Sequence, residues 1–531
     1  MALGILEPSS GNGFPAGTVL LKANGGHHHG PVEHVSETPI SPHDPLNLSK
    51  VRKNLYFMAL LYGACVAGAV GPLLIPGFSI IAVEFQVSLT NVTLLNGALI
   101  MTLGISAYLC APLSDICGRR LVYLVTSILG LVGCLWASYA KTYGSLLASR
   151  AIQGLGLGGF MSLAGTASIN DVFLVHERGR RVGLWNFAVL LACNLTPVIS
   201  GYTITQLGWS RSFQLMAAAF GVALLLTLFF IPETIFERGM LRGVPRQDSL
   251  GDKCSNDNGT ETPETKSALA TTDDPGQQQS EMSSVINDLS PNRTRFLGLH
   301  AIQVGKFKEL PTMLASPVLA LRHPIVVWAA IMWSVFFTWV IIQGAVADQI
   351  YRAPPYNLSP QSVGILIGVP PLIGSALGTI LGGWLSDLSA KVLANRNSGI
   401  YEPEFRLLLI IPAVTFIAIG GYGLGAVISA GSSVWASAIL LGVLNFGVGV
   451  GCTSIVAYSN DAISHLAAES MGIAMLIKSC FAFGLTFVLN DYYANRGAMV
   501  FFSTWASLSL GITLLTVLIF VFGKRIRSSF S

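Results

Sequence analysis

Ala111-Pro112-Leu113-Ser114-Asp115-Ile116-Cys117-Gly118-Arg119-Arg120 decides the fold, because Gly383-Trp384-Leu385-Ser386-Asp387-Leu388-Ser389-Ala390-Lys391 repeats its pattern in the second half of the chain. Each copy closes the second apolar stretch of its half with an aspartate and then basic residues. The two copies predict a membrane protein built from two related halves. They indicate chemistry that moves a small molecule rather than chemistry that transforms one.

The composition agrees with this interpretation. Hydrophobic residues make up 52% of the 531 residues and charged residues only 11%, against about a quarter in soluble proteins. The apolar residues form runs of about 20, enough to cross a hydrocarbon core of about 30 Å. The sequence therefore predicts an all-α integral membrane protein with twelve transmembrane helices in two pseudo-symmetric six-helix bundles. The predicted spans are 56–82, 93–113, 121–140, 145–168, 182–207, 212–232, 325–347, 361–388, 405–427, 434–458, 471–491 and 498–522.

Basic residues divide unequally between the two sides of these spans. Arg150 and Lys478 fall within spans, and most of the 31 Lys and Arg residues lie in segments predicted to be cytosolic. Because basic segments resist translocation, this bias places both termini in the cytosol. The formal net charge of +4 follows from it and indicates no nucleic-acid partner. The basic residues expected outside are Lys141, Arg211, Arg352 and Arg496.

Polar segments divide the chain into five parts. The linker is rich in Asp, Thr, Ser, Gln and Pro and cannot bury enough apolar surface to fold alone. Its last part, 300–324, has amphipathic character and is predicted to form a helix on the membrane surface. The parts are a disordered cytosolic tail (1–55), an N-terminal bundle (56–232), a mostly disordered cytosolic linker (233–324), a C-terminal bundle (325–522) and a cytosolic tail (523–531).

The halves also match in their glycines, since Gly154-Leu-Gly156-Leu-Gly158 in the fourth span resembles Gly447-Val-Gly449-Val-Gly451 in the tenth. Such glycines let membrane helices approach closely. The eight cysteines show no metal-ligand spacing. We find no nucleotide-binding lysine motif and no nucleophile constellation either, so the sequence predicts no enzyme, no metal and no cofactor.

Two motifs carry a family resemblance. Leu113-Ser-Asp-x-x-Gly-Arg-Arg120 resembles the signature of the loop between the second and third helices of the major facilitator superfamily, and Arg150-Ala-Ile-Gln-Gly-Leu-Gly156 resembles its fourth-helix signature. The resemblance covers residues 50–527. It implies a monomeric carrier that works by alternating access, with a small-molecule substrate, driven by protons and embedded in the lipid bilayer of the cell membrane, with an internal membrane as the alternative.

Within the superfamily, Asp44–Lys53 and Pro232-Glu233-Thr234 resemble fungal members of the twelve-helix drug:proton antiporter branch. That branch implies export of an amphipathic drug or secondary metabolite in exchange for protons. Its fifth-helix signature is degraded here, because Thr196 and Ser200 replace two of its glycines. Proton-coupled uptake of an organic cation or polyamine therefore stays open, as does a non-transporting sensor with a transporter fold.

The tandem motif supplies the predicted gating residues. Asp115 and Arg119 lie at i and i+4, close enough for an ion pair. The resemblance implies that the aspartate docks near the start of the eleventh helix when the cytosolic side is closed. Simple topogenic charge is the alternative. The whole predicted set is Asp115, Gly118, Arg119 and Arg120, with Asp387 and Lys391 as the weaker second copy.

Arg150 and Lys478 are the predicted proton-coupling residues, because a charge inside a bilayer is costly and marks function unless it reaches the interface. For Arg150 the family position is linked to proton coupling, and Glu84 and Asp348 are the nearest candidate counter-charges. Lys478 can repel cations, hold an anion or exchange protons. Extension of either side chain to the membrane surface is the alternative.

Polar residues near mid-span are predicted to line the substrate cavity, with bonding to a neighbouring helix as the alternative. The predicted set is Asn96, Gln153, Trp185, Asn186, Asn194, Gln343, Asn445 and Tyr458, with Phe336, Trp339 and Phe446 as further aromatic candidates. Two sequons, at Asn91 and Asn357, fall in predicted outer loops and are candidate glycosylation sites.

Overall fold

The structure is a computed structural model that describes residues 48–173, 175–234, 308–463 and 466–530, together with Ile5, residues 18–20 and Pro45. Twelve long helices run back and forth, as the sequence predicts. Their bounds are α1 Lys50–Val70, α2 Leu89–Cys117, α3 Arg119–Ser138, α4 Tyr143–Ser162, α5 Val175–Leu207, α6 Trp209–Phe230, α7 Pro324–Tyr351, α8 Pro360–Arg396, α9 Ile410–Ser429, α10 Val434–Ala462, α11 Ala467–Thr486 and α12 Leu489–Thr513.

Within the described part of the chain, 11 helical segments are long and apolar enough to cross a membrane. The twelfth helix is α4, which is less apolar because it carries Arg150, Gln153 and several glycines. These glycines allow close packing: a Cβ on Gly154 would lie 2.3 Å from the carbonyl oxygen of Leu99 in α2. The twelve-helix prediction is therefore confirmed, and the least apolar helix is enclosed by its neighbours.

Helix α1 does not continue straight to the far end of its bundle. It ends at Val70, and a 3-10 turn over Gly71–Gly77 leads into a short helix, Phe78–Phe85. Pro72 and Pro76 lie in the turn and have no N–H to donate to the preceding carbonyls. Pro72 thus leaves the carbonyl oxygen of Gly68 without a helical N–H donor, and Cys193 Sγ donates to it at 3.3 Å.

The two bundles, α1–α6 and α7–α12, meet along two helix pairs. Between α2 and α11, a Cβ on Gly104 would lie 2.4 Å from Ser479. Between α5 and α8, a Cβ on Gly364 would lie 2.1 Å from the carbonyl oxygen of Pro197. Close helix approach of this kind needs small residues.

Three segments outside the bundles differ from, or extend, the sequence predictions. In the tail predicted to be disordered, strand β1 (Val19–Leu20) pairs antiparallel with β2 (Ile400–Tyr401), so these residues are ordered against the C-terminal bundle. The chain predicted as a C-terminal tail continues a helix, Leu515–Phe530. A helix forms over Leu310–Ala320 within the predicted amphipathic segment, whereas most of the predicted linker, 235–307, lies outside the described residues.

Candidate functional site

Arg150 lies inside the N-terminal bundle with its side chain fully buried. Its Nη1 donates to the carbonyl oxygen of Val70 at 3.1 Å, and its Nη2 donates to that of Gly71 at 3.3 Å. The same two nitrogens bond the amide oxygen of Gln153 at 2.8 Å and that of Asn96 at 3.1 Å. Arg150 therefore ties α4 to α2 and supplies donors to the carbonyls at the break after α1.

All four of these partners are neutral, and among the described residues Arg150 forms no ion pair. The counter-charges suggested by the sequence are engaged elsewhere. Glu84 accepts a hydrogen bond from Trp209 Nε1 at 2.6 Å, and Asp348 accepts one from the backbone N–H of Ser79, also at 2.6 Å. Both candidate counter-charges of Arg150 are thus bonded to other groups.

Asp348 and Ser79 form a contact between the two bundles near the ends predicted to face outward. Asp348 is 1% exposed on α7, and Ser79 lies in the first turn of the helix that follows the α1 break. Arg352, directly after α7, also donates to the hydroxyl of Ser79. A second contact joins the bundles close by, where Asn490 donates to the hydroxyl of Thr93 at 2.5 Å. These ends are therefore held together by hydrogen bonds as well as by close helix packing.

Lys478 lies in the middle of α11, about 16 Å along the helix from Ala467 at 1.5 Å per residue. Its Nζ is 4.3 Å from the ring centroid of Phe337 and 5.4 Å from that of Trp333, both on α7. Within the described residues it forms no hydrogen bond and no ion pair. A cation held only by aromatic rings keeps its three N–H donors for another group.

The first copy of the tandem motif forms an ion cluster within its own bundle. Gly118 has a φ of 95°, which lets the chain turn sharply between α2 and α3. Arg119 pairs with Asp171 at 2.9 Å, so its carboxylate partner differs from the expected Asp115. The backbone N–H groups of Arg119 and Arg120 donate to Glu233 at 3.1 and 3.2 Å.

The second copy forms a similar cluster centred on a residue that the sequence did not suggest. Arg406 pairs with Asp387 at 3.1 Å and with Asp461 at 2.7 Å. Lys391, the expected partner of Asp387, is instead exposed. Tyr401 donates to Asp461 at 2.5 Å, and burial, followed by this hydrogen bond, raises the pKa of Tyr401. The prediction failed because the basic residue comes from the loop before α9 rather than from the end of α8.

The predicted cavity residues separate into several environments. Asn96 and Gln153 belong to the Arg150 cluster. Gln343 accepts a hydrogen bond from Asn445 at 3.0 Å inside the C-terminal bundle. Asn194 donates to the carbonyl oxygen of Leu190 on its own helix at 2.9 Å.

The remaining predicted residues are placed differently. Trp185 packs against Gly165 within the N-terminal bundle, and Asn186 is exposed. Tyr458 is fully buried and packs edge-on against Trp328 with ring centroids 5.3 Å apart, and its role in a substrate cavity stays a prediction.

The aromatic residues at Lys478 were missed because the wrong face of α7 was chosen. Phe336 and Trp339 are fully buried in the bundle core, where Trp339 Nε1 donates to Ser509 at 3.1 Å. Trp333 and Phe337 are only partly buried and lie at i and i+4 on the opposite face. The i, i+4 spacing of these two residues is visible in the sequence, but only the packed bundle shows what that face of α7 contacts.

The two sequons lie at the end of the bundles predicted to face outward, in different settings. Asn91 is exposed in the first turn of α2 rather than in a loop, and its carbonyl oxygen accepts a hydrogen bond from Tyr143 at 2.9 Å. Asn357 is exposed in the loop between α7 and α8, with a φ of 46°. Glycosylation at either site stays a prediction, with Asn357 in the more open position.

Comparison with known proteins gives consistent matches along most of the chain. A model of the Major Facilitator Superfamily matches residues 55–487. An uncharacterized MFS-type transporter of Schizosaccharomyces pombe is 25% identical and aligns with 86% of this chain and 81% of its own length. The multidrug transporter DTR1 of Candida glabrata is 23% identical over 85% of this chain and 79% of its own. In a partially occluded inward open structure, the xylose transporter XylE from E. coli matches with a TM-score of 0.57 and 13% identity, over 88% of this chain and 99% of XylE.

Proposed function

The chain belongs to the Major Facilitator Superfamily, and from that premise we propose that it is a proton-coupled secondary transporter that exports a small amphipathic drug or secondary metabolite in exchange for protons. Its relatives in this family are fungal transporters, and one of them is named as a multidrug transporter. The proposal places the protein in a membrane with both termini in the cytosol, with the cell membrane as the first choice. Alternating access is the mechanism that the superfamily fold implies.

The observation that carries the proposal is the chain of contacts from Arg150 to the outer contact between the bundles. Arg150 holds the carbonyls of Val70 and Gly71, where α1 breaks. Only eight residues later, Ser79 is held by Asp348 of the other bundle. A shift of the break would therefore move the segment that closes the outer side. In this proposal, Arg150 transmits a proton-driven movement of the helices to the outer contact, which then opens. Its guanidinium stays protonated throughout.

The ion clusters at the cytosolic ends fit the same mechanism. The Arg119 cluster connects α3 to residues near the ends of α4 and α6, all within the N-terminal bundle. The Arg406 cluster connects α8, α10 and the loop before α9, all within the C-terminal bundle. Each bundle is thus cross-linked internally, which favours movement of the two bundles as rigid bodies against each other.

Proton flux in proteoliposomes tests the function. The purified full chain is reconstituted with a trapped pH dye and challenged with drugs, amphipathic metabolites and polyamines. Substrate-triggered proton movement opposite to the substrate is expected, and Arg150→Ala should reduce it at least about tenfold because the α1 break loses its donors. Lys141→Ala, at an exposed site in the loop between α3 and α4, is the matched control and should keep full flux.

Other results of this experiment would favour the other two candidate functions. Proton movement in the same direction as the substrate would make the protein a proton-coupled importer, the second candidate that the altered residues Thr196 and Ser200 keep open. Absence of both proton movement and labelled-compound transport across the panel would contradict transport and favour the sensor.

A cysteine pair tests the proposed outer gate. Ser79→Cys and Asp348→Cys together place two thiols on residues that already touch, since the backbone N–H of Ser79 lies 2.6 Å from the carboxylate of Asp348. Oxidation should close this gate covalently and stop transport, and reduction should restore it, because an alternating-access carrier cannot turn over with one side fixed. Each single-cysteine variant serves as the control. Full transport by the oxidised pair would contradict the assignment of this contact as a gate.

A further inference from the structure

We propose that Lys478 is an anion-binding residue on the transport path and that the transported compound carries an acidic group, such as a carboxylate, attached to an aromatic or apolar body. The inference rests on the proposed transport function and concerns the charge of the substrate. It assigns Lys478 to substrate binding and leaves proton coupling to the Arg150 chain. Export of an anion would also be assisted by an inside-negative membrane potential.

The first step of the argument is position. Lys478 on α11 faces Trp333 and Phe337 on α7. The thiols of Cys452 on α10 and Cys193 on α5 are within electrostatic range of its Nζ. Four helices from both bundles, counting α11 itself, therefore contribute side chains to the surroundings of this charge, at mid-length of α11. In a carrier of two pivoting bundles, a group between them at this depth is on the path of the substrate.

The second step is the missing partner. In the two ion clusters described above, the arginine has a carboxylate partner: Arg119 pairs with Asp171, and Arg406 pairs with Asp461. Lys478 has two aromatic rings and, within the described residues, no hydrogen bond or ion pair. The rings offset part of the cost of burying an ammonium group. They do not replace the oxygen or nitrogen acceptors that its three N–H donors can bond. The group that completes the site must therefore be brought by a ligand.

The third step is the sign of the ligand charge. The buried carboxylates on either side of this depth are bonded to other groups. Asp348 binds Ser79 toward the outer end, and Glu404 binds Arg527 toward the cytosolic end at 2.8 Å. A cationic ligand would meet the ammonium of Lys478 in a medium of low dielectric constant with no carboxylate beside it. An anion would gain a charge-assisted hydrogen bond, and an adjoining aromatic body could pack on Trp333 and Phe337. The site thus favours an organic anion over the organic cation or polyamine of the rival function.

The native thiols at the site allow a direct test. In a variant that keeps Cys193 and Cys452 and has alanine at the other cysteines, the modification rates of an anionic methanethiosulfonate (the ethylsulfonate) and a cationic one (the ethyltrimethylammonium) are compared. We expect the ratio of anionic to cationic rate to fall about tenfold in Lys478→Met, because the local positive potential is lost. Lys478→Arg should keep the ratio, and Lys391→Met should leave it unchanged. The cysteines replaced are Cys65, Cys110, Cys117, Cys134, Cys254 and Cys480.

Three results would overturn the proposal. These are an unchanged ratio in Lys478→Met, a higher rate for the cationic reagent in the parent variant, and complete lack of reaction at both thiols in the folded protein. The last would mean that the site is closed to ions. Because Lys478→Arg keeps the charge, its ratio also separates loss of charge from misfolding.

Equilibrium binding gives a second measurement on the native chain. Quenching of tryptophan fluorescence is measured with pyrenebutyrate, its neutral amide and the corresponding trimethylammonium compound. The expected order of affinity is anion, amide, cation, and Lys478→Glu should invert it. Equal or tighter binding of the cation by the native chain would overturn the proposal, as would absence of binding by all three compounds together with an unchanged thiol ratio.

These measurements need no proton gradient, so their failure differs from failure of the proposed function. If charge selectivity follows Lys478 while proteoliposomes show no proton movement, proton exchange is contradicted and the anion site stands. If protons move in exchange for cationic compounds alone, the function stands and the anion site is contradicted.

Discussion

Arg150 and Lys478 are both cations inside the membrane, and their surroundings differ in a way that separates two tasks. Arg150 is enclosed by one bundle and bonds four neutral oxygen atoms on four elements. Lys478 stands between the bundles beside two aromatic rings and forms no bond within the described residues. The first arrangement holds the protein in shape, whereas the second leaves bonding capacity for something that arrives from outside.

A charge inside the membrane does not by itself identify a ligand-binding residue, because a structural cation can occupy the same kind of position. A buried cation always costs free energy in a low-dielectric medium, so both residues are exceptional from the sequence alone. What distinguishes them is whether the protein itself provides the acceptors. Stability measurements on substituted proteins therefore test the comparison, since a structural cation should be costly to remove and a ligand-binding one should not.

The largest effect is expected for Arg150→Ala. Removal of the side chain takes a charged donor from the carbonyls of Val70 and Gly71 and from two side-chain amides, and a hydrogen bond to a charged group contributes about 1.5–3 kcal/mol. Part of this is offset because the charge is no longer buried, so we expect a net loss of about 3 kcal/mol in the free energy of unfolding. Unfolding of the detergent-solubilised protein measures it. A loss below about 1 kcal/mol would show that the α1 break is held by other contacts.

A smaller effect is expected for Gln153→Ala. Gln153 is fully buried, accepts from Arg150 Nη1 at 2.8 Å and donates to the carbonyl oxygen of Gly133 at 3.0 Å. Its removal takes one of four acceptors from Arg150 and one donor from α3, so the expected destabilisation is about 2 kcal/mol. The double variant with Arg150→Ala should lose less than the sum of the two, because the residues share a bond. Additive losses would show that the two side chains act independently.

The general fold followed from the sequence because its signals are local. Runs of apolar residues set the helices and the tandem motif set the twofold repeat, whereas the direction given by the bias of basic residues stays a prediction. The α1 break was also visible in Pro72 and Pro76, although the predicted span ran through it. Helix ends moved by a few residues, since caps and turns such as that at Gly118 fix them rather than hydropathy.

The site followed less completely, because contacts between distant segments have no local signal. Arg119 and Asp387 were both recognised, yet their partners Asp171 and Arg406 come from other parts of the chain. Selecting Phe336 and Trp339 instead of Trp333 and Phe337 was an error of helix face. Sequence can rank residues by the cost of burying them, but only packing shows which neighbours reduce that cost.

The smallest effect on stability is expected for Lys478→Met, and it is the sharpest test of the comparison. Methionine keeps a long flexible side chain and can pack on the rings of Trp333 and Phe337. The loss of cation–π attraction and the relief of burying a charge nearly cancel, so the free energy of unfolding should change by less than about 1 kcal/mol or rise. The same unfolding assay as for Arg150→Ala measures it, with Lys478→Arg as the charge-keeping control. A loss as large as that of Arg150→Ala would mean that Lys478 is bonded within the protein, and the two cations would then have the same structural task.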